Sequence, residues 1–299
     1  MRKFFISLIC AGLSVALGAQ SLPSLLVPSD ASALGAANTA VAADATAFAS
    51  ESNMSMAVFS GKTFAAGLSY GSWAPKTAQD KLFGGSAWFK TGNVAFGLSF
   101  KSFSMQPYIP TSANGSVSQT DDPFTPKELS MALSGAFRLG DSFSLGVVAR
   151  ITNSALGAEA KATGIGVDLS ASFVKEAFSA GLVLANLGTS VKYAETAYPQ
   201  PMMLKAGAAY RIVKGLRVQA DADLLFKGGF MGGLGVEYGW NEMIFARAGY
   251  HFGSGAQATA SFASAGLGLH IVGITLDAAY VLSGENLGNT FMVTLGYAF

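Results

Sequence analysis

Phe291-Met292-Val293-Thr294-Leu295-Gly296-Tyr297-Ala298-Phe299 closes the chain, and its two-residue period decides the fold class. Phe291, Val293, Leu295, Tyr297 and Phe299 share one face of an extended strand, and Met292, Thr294, Gly296 and Ala298 share the other. Large apolar groups on one face with small or polar groups on the other mark a strand with lipid outside and a lumen inside. The pattern recurs upstream. Ile274, Leu276, Ala278, Tyr280 and Leu282 alternate with Thr275, Asp277 and Ala279; Ile244, Ala246, Ala248, Tyr250 and Phe252 alternate with Phe245, Arg247, Gly249 and His251. Leu216, Val218, Ala220, Ala222 and Leu224 face out against Arg217, Gln219, Asp221 and Asp223, and Phe143 to Ile151 repeats the arrangement around Ser144, Gly146 and Arg150.

Composition agrees. Hydrophobic residues make up 51% of the 299 and charged residues 12%, the latter about half the share usual in soluble domains. Net charge is +1 with no basic cluster, so a nucleic-acid surface is not expected. Arg2 and Lys3, the apolar run Phe4 to Ala16 and the small residues Ala16-Leu17-Gly18-Ala19 read as a signal peptide cleaved after Gly18 or Ala19. Cys10 lies in that apolar run behind Ile9, which excludes a lipoprotein and leaves the mature chain without cysteine. Past the signal, no apolar run reaches the roughly eighteen residues that a spanning helix needs. A membrane chain without spanning helices must pair every backbone group in a closed barrel.

The alternation predicts strands at 62–73, 80–90, 93–104, 127–138, 142–153, 162–174, 177–187, 201–212, 215–226, 229–240, 242–253, 258–270, 272–283 and 289–299. The expected fold is therefore all-β: an up-and-down antiparallel transmembrane β-barrel of about fourteen strands with a short N-terminal hatch-like segment. If the C-terminus is periplasmic, Val272-Gly273, Trp240-Asn241, Val213-Lys214, Lys175-Glu176, Gly140-Asp141 and Gly92-Asn93 are short periplasmic turns. The two longest connections, 105–126 and 188–200, then fall outside, as such barrels require. Residues 1–19 form the expected signal, 20–60 a hatch or plug, and 61–299 the barrel. Asp30 to Asn53 is rich in Ala and Ser and lacks both periods; it reads either as a plug in the barrel mouth or as a flexible periplasmic tail. Met56 to Ser60 reads as a short strand leading from it.

Ala33-Leu34-Gly35-Ala36-Ala37-Asn38-Thr39-Ala40-Val41-Ala42, then Ala43-Asp44-Ala45-Thr46-Ala47, then Asn53, resembles the N-terminal signature of the PorV/PorQ-like proteins, within the wider FadL-type outer-membrane superfamily. Gly35, Asp44 and Asn53 fall on its fixed points, whereas Met54-Ser55 stand where the family has Pro-Ala. The resemblance implies a fourteen-stranded barrel in the outer membrane of Bacteroidota-type bacteria and a link to type IX secretion, with a secretion translocon and secreted cargo as partners. FadL-like members instead move hydrophobic molecules through a lateral opening, and uptake of hydrophobic or small molecules is the alternative. A purely structural barrel is a third possibility.

The alternation points Arg138, Arg150, Lys205, Arg211, Arg217 and Arg247 inward, together with Asp168, Asp221, Asp223, Glu237 and Asp277. Their mixed signs suit pairing across strands better than a selective pore, which would line a constriction with one sign. Gly164, Gly166, Gly207, Gly233, Gly235, Gly266, Gly268 and Gly296 also face in. They provide either room for a hatch or ligand, or curvature of a narrow barrel. His251 and His270 have no clustered carboxylates or thiols, so no metal site is expected. No nucleophile elbow or phosphate loop emerges; neither an enzyme nor a cofactor is expected. In the outer loops Tyr108, Ile109, Phe124, Tyr193 and Tyr198, beside Pro110, Asp121, Asp122, Pro123 and Pro199, are either partner-binding anchors or part of the interfacial aromatic girdle. Tyr297 and Phe299 resemble the signal read by the outer-membrane barrel-assembly machinery.

Overall fold

The computed structural model describes residues 21–109, 123–157, 160–282 and 287–299. Fourteen antiparallel strands close into a barrel. They are β1 Phe64–Trp73, β2 Asp80–Thr91, β3 Val94–Ser104, β4 Lys127–Leu139, β5 Phe143–Ala155, β6 Lys161–Lys175, β7 Phe178–Gly188, β10 Met203–Val213, β11 Leu216–Leu225, β12 Gly229–Trp240, β13 Ile244–Ser254, β14 Phe262–Ile271, β15 Ile274–Val281 and β16 Phe291–Ala298. Each pairs with its sequence neighbour, and β16 returns to β1 in the register Ala65↔Ala298 to Ser72↔Phe291. The seam continues past the last strand, where Thr63 N and Phe64 N donate to the Phe299 carbonyl at 2.7 and 3.1 Å.

Alternation along each strand sets which side chains meet lipid. On β4, Leu129, Met131, Leu133 and Phe137 are exposed while Glu128, Ser130, Ala132 and Ala136 are buried. On β16, Phe291, Val293, Leu295 and Tyr297 are exposed and Met292 and Thr294 are buried. No helix among the described residues is long and apolar enough to cross a membrane. The apolar exterior is therefore a property of the strands.

The turns at the C-terminal end are tight. Ile271 and Ile274 pair across Val272-Gly273, both with positive φ (50° and 81°), the backbone that a two-residue hairpin needs to follow strand twist. Glycine adopts it readily, whereas a β-branched Val does so only under strain.

Two sequence expectations need correcting. The connection 188–200 contains a small hairpin, β8 Val191–Tyr193 and β9 Thr196–Tyr198, outside the barrel sheet. The expected strand at Met56 to Ser60 is instead a 3-10 turn, Met54–Phe59, capped by the Asn53 side chain, which accepts from Ser55 N. A local side-chain bond outweighs the β preference of so short an apolar run. The same cause produces helix α1, Ala31–Gly35, where Asp30 accepts from Ser32 N. A 3-10 turn at Pro23–Leu26 and helix α2, Ala49–Ser52, complete this segment.

Residues 21–60 lie inside the barrel. Four apolar clusters make up the core, and each joins this segment to the wall or its outer loop. Val27, Ala31 and Leu34 meet Leu82, Phe262, Val281 and Met292. Ala49, Met54, Ala57 and Val58 meet Trp88, Ala132 and Val148. Val41 meets Val183, Met203, Leu225 and Met231, and Leu22 meets Val191 and Tyr193. The lumen is thus a packed interface between one segment and the ring around it.

Candidate functional site: a plugged lumen with a chamber

The segment enters at the end that carries the long connections, the expected outer end. Ser21 N donates to Pro199 O at 2.9 Å, and Ser24 N donates to Glu128 Oε2 at 3.1 Å near the outer end of β4. The chain then runs inward through α1, reaches the turn end at Asp44, doubles back through α2 and leaves at Ser60 to start β1.

Two groups of charges hold it. In the first, Glu51 of α2 meets Arg150 Nη1 at 2.7 Å and Lys101 Nζ at 3.3 Å, and accepts from Ser99 Oγ at 2.6 Å. Arg150 also pairs with Asp168 at 3.3 Å, and Asp168 accepts from Asn186 N at 2.6 Å. Burial alone would raise the Glu51 pKa, but Arg150 and Lys101 more than reverse it and hold the carboxyl at about 2. The second group runs around the turn end of the barrel: Arg211–Asp44 at 2.6 Å, Asp44–Arg217 at 2.7 Å, Arg217–Glu237 at 3.0 Å, Glu237–Arg247 at 2.6 Å and Arg247–Asp277 at 2.5 Å, ending on His270 at 3.2 Å. Desolvation works against the Asp44 carboxylate, yet Arg217 and Arg211 hold its pKa below the ordinary value.

Further hydrogen bonds hold the segment between these groups. Asp221 accepts from Ala40 N and Val41 N at 2.8 and 3.0 Å. Trp88 Nε1 donates to Thr46 O at 2.7 Å, and Ala31 N donates to Thr294 Oγ1 at 2.9 Å. The three fixed points of the N-terminal signature all take part in this docking. A Cβ on Gly35 would lie 3.0 Å from Gly266 Cα, Asp44 joins the two rim arginines, and Asn53 Nδ2 donates to Val41 O and Ser172 Oγ at 2.7 and 3.0 Å. Ser55, in the altered Pro-Ala position, lies 2.6 Å from Ser172 Oγ.

The inward glycines divide by location. A Cβ at Gly207, Gly233, Gly235 or Gly266 would meet Val41, Ala37, Thr39 and Ala36, or Gly35 of the segment. At Gly164 it would meet Leu22, and at Gly166 it would meet Gln200. Gly268 and Gly296 face their own wall neighbours, Asp277 with Arg247, and Thr275. Room for the N-terminal segment thus accounts for most of these positions.

The inward charges singled out from sequence form several groups. Arg150 joins Asp168, and Arg217, Glu237, Arg247 and Asp277 form the rim chain. Arg211 lies half-exposed at its end, and Arg138 sits over the Phe59 ring and donates to Asp141 O at 2.7 Å. Asp221, Asp223 and Lys205 stand apart from both. Expected pairing across strands is therefore only part of the arrangement: the segment's own Asp44 and Glu51 complete it. Lys101 and Glu128 also face in by the same alternation, and neither was among the expected charges.

The loop aromatics also divide. Tyr193 is buried, with its ring 6.2 Å from Tyr198, so it cannot be an exposed anchor: the hairpin folds it onto Leu22. Tyr108 and Ile109 are exposed; Tyr108 pairs with Phe124 through an isolated bridge, with rings 5.8 Å apart. Pro110, Asp121 and Asp122 lie outside the described residues, as does the expected signal peptide. His251 stacks on Phe262 at 4.7 Å, and no metal-binding cluster occurs among the described residues.

A chamber of about 610 Å³ remains beside the segment. It runs from Lys62, Glu176, Arg211 and Glu242 at the turn end to Lys205, Asp223, Met203 and Met231 in the outer half, with Leu25–Pro28 across its far end.

The sequence pattern of the family described as "Type IX secretion system protein PorV" matches residues 16–221. The chain belongs to this family. The matched stretch covers the plug and the wall through most of β11, including all three fixed points of the signature. No curated protein sequence matches the chain. Among solved structures, the toluene transporter TbuX of Ralstonia pickettii superposes with a TM-score of 0.68 at 15% identity, covering 93% of this chain and 100% of that one. The toluene transporter TodX of Pseudomonas putida gives 0.61 at 13%, covering 89% and 95%. A FadL homologue of Pseudomonas aeruginosa gives 0.63 at 14%, covering 92% and 99%. At such identities the likeness establishes the fold alone, a closed antiparallel barrel shared with those transporters and the FadL homologue. By their descriptions the matched family is a secretion-system protein and two of these solved structures are transporters.

Proposed function

We propose that this PorV-family barrel acts in type IX secretion through protein partners, with a secretion translocon and secreted cargo as its neighbours. The observation that carries this reading is the family match over residues 16–221, whose signature residues Gly35, Asp44 and Asn53 all engage the barrel wall. A lumen occupied by residues 21–60 also suits a docking protein better than an open pore. The outer loops offer Tyr108, Ile109 and Phe124 as contact residues, with Tyr198 half-buried beside them. In this reading residues 1–19 are a cleaved signal, 20–60 a plug and 61–299 the barrel. The host is a Bacteroidota-type bacterium, and Tyr297 and Phe299 present the strand that the barrel-assembly machinery recognises. Pull-down of the tagged barrel from crosslinked outer membranes should recover a secretion component or a secreted protein; recovery of neither rejects the proposal.

The uptake reading draws on one wall irregularity. Opposite Asp168 the β6–β7 register shifts, and Asn186 takes a φ of 58°. Gln200 Nε2 bonds Ile165 O at 2.8 Å and Thr189 O at 3.0 Å there, which closes the wall at the place where a lateral exit would form. Uptake of a hydrophobic solute that increases with Gln200→Ala would favour that reading.

A further inference from the structure

We propose that the chamber is a blind binding site, open at the short-turn end and closed at the outer end, for a small α-amino-acid-like zwitterion held between Lys205 and Asp223. The proposal concerns the lumen and does not depend on the secretion partners.

The first support is the shape of the chamber. Its mouth lies among the short turns at Lys62, Glu176, Arg211 and Glu242, and no described residue of an outer connection lines it. The outer end is sealed in layers: Leu25–Pro28 close the chamber, and beyond them Leu22 packs on Val191 and Tyr193. With the C-terminal turns periplasmic, a solute enters from the periplasm and meets no outward exit among the described residues.

The second support is a set of polar groups without partners. Lys205 and Asp223 are direct register partners on β10 and β11, and both face the chamber. Lys205 makes no ion pair among the described residues, whereas Lys101, Arg150, Arg217 and Arg247 each make at least one. Its other nearby acid, Asp221, is occupied by Ala40 N and Val41 N. Asp223 Oδ1 is buried and without a hydrogen-bond partner. Gln219, four residues nearer the mouth, commits its amide nitrogen to Thr39 O and Oγ1 at 2.7 and 2.9 Å and leaves Oε1 unpaired. Buried acceptors normally find donors, and an apposed but separated charge pair is costly to keep dry.

A ligand with an ammonium and a carboxylate on one carbon satisfies both charges together: the ammonium donates to Asp223, and the carboxylate accepts from Lys205. Met203, Met231 and Leu26 supply an apolar wall for its side chain, and Gln219 Oε1 accepts from a donor further along. A fatty acid would satisfy Lys205 and leave Asp223 unpaired; a simple amine would do the reverse.

The test uses three probes with the same six-carbon chain, norleucine, hexanoate and hexylamine, titrated calorimetrically into the purified, detergent-folded barrel. Norleucine should bind at least tenfold more tightly than either singly charged probe. Lys205→Met and Asp223→Asn should each weaken it at least tenfold while retaining heat-modifiable migration. Lys205→Gln serves in place of a variant that fails to fold. In a second measurement, a bulky maleimide on Ala43→Cys, at the chamber wall beside Asp44, should abolish norleucine binding that the unlabelled variant retains. Equal or tighter binding of hexanoate or hexylamine, no binding of norleucine, or norleucine binding unaffected by the substitutions overturns the proposal.

Discussion

Glu51 Oε1 accepts a 2.7 Å hydrogen bond from Arg150 Nη1, joining the plug's second helix to β5 across 99 residues of sequence. Both side chains are nearly excluded from water, and Lys101 and Asp168 complete the group. Such a pair contributes little relative to an apolar replacement, yet removing one partner strands the other.

Glu51→Gln should therefore loosen the plug, at a cost of about 3–5 kcal/mol. The barrel wall should persist. Trp88, whose indole donates to Thr46 O, is buried against the plug and reports its docking. The expected result is a shifted Trp88 emission and faster proteolysis within residues 21–60. The double variant Glu51→Gln/Arg150→Met should lose less than the two single variants combined.

Acid should weaken the same contact. Glu51 has its folded pKa depressed from an ordinary 4.5 to about 2, so its contribution is complete above 4.5 and disappears as pH falls through about 2. Asp44 is shifted in the same direction by Arg217 and Arg211. Plug docking followed by Trp88 emission should hold steady from pH 7 to 5 and decline between about 4.5 and 2. Glu51→Gln should flatten most of that decline.

The close backbone approaches define a steric test. A Cβ at position 235 would lie 2.5 Å from Thr39 Oγ1 and 2.6 Å from Ala36 O. Gly235→Ala should thus destabilise plug docking by about 1–3 kcal/mol, the usual cost of overpacking. At Gly61 no atom lies within 4 Å of the added carbon, and Gly61→Ala should leave docking unchanged. Protease protection of residues 21–60 compares the two.

The seam makes Phe299 sensitive for a different reason. Its ring lies 5.3 Å from Phe64 and 5.8 Å from Tyr297, and its carbonyl accepts from Thr63 N and Phe64 N where β1 begins. Phe299→Ala should lower the heat-modifiable fraction in the outer membrane while the barrel that does insert keeps a docked plug. A normal folded fraction would contradict a role for this residue in assembly.

Strand number, strand phase and the side of the long connections could be read directly from the sequence. Each follows from the two-residue period: Leu133 and Ser130 declare their faces through their neighbours on the same strand, without long-range information. The three signature positions were equally legible, because Gly35, Asp44 and Asn53 stand at recognisable spacings. The short hairpin at Val191–Tyr198 and the turn at Met54–Phe59 were not, since side-chain caps and loop packing decide such short segments.

What only the tertiary structure decided is how the interior is used. Alternation points Arg150, Lys205 and Arg217 inward, but it cannot say that Arg150 and Arg217 meet Glu51 and Asp44 of the plug while Lys205 meets no ion-pair partner among the described residues. Those assignments depend on where an aperiodic segment runs through a closed ring, and they join residues 99 positions apart for Glu51 and Arg150 and 173 apart for Asp44 and Arg217. Periodicity encodes which face a residue takes; the path of the plug selects its partner.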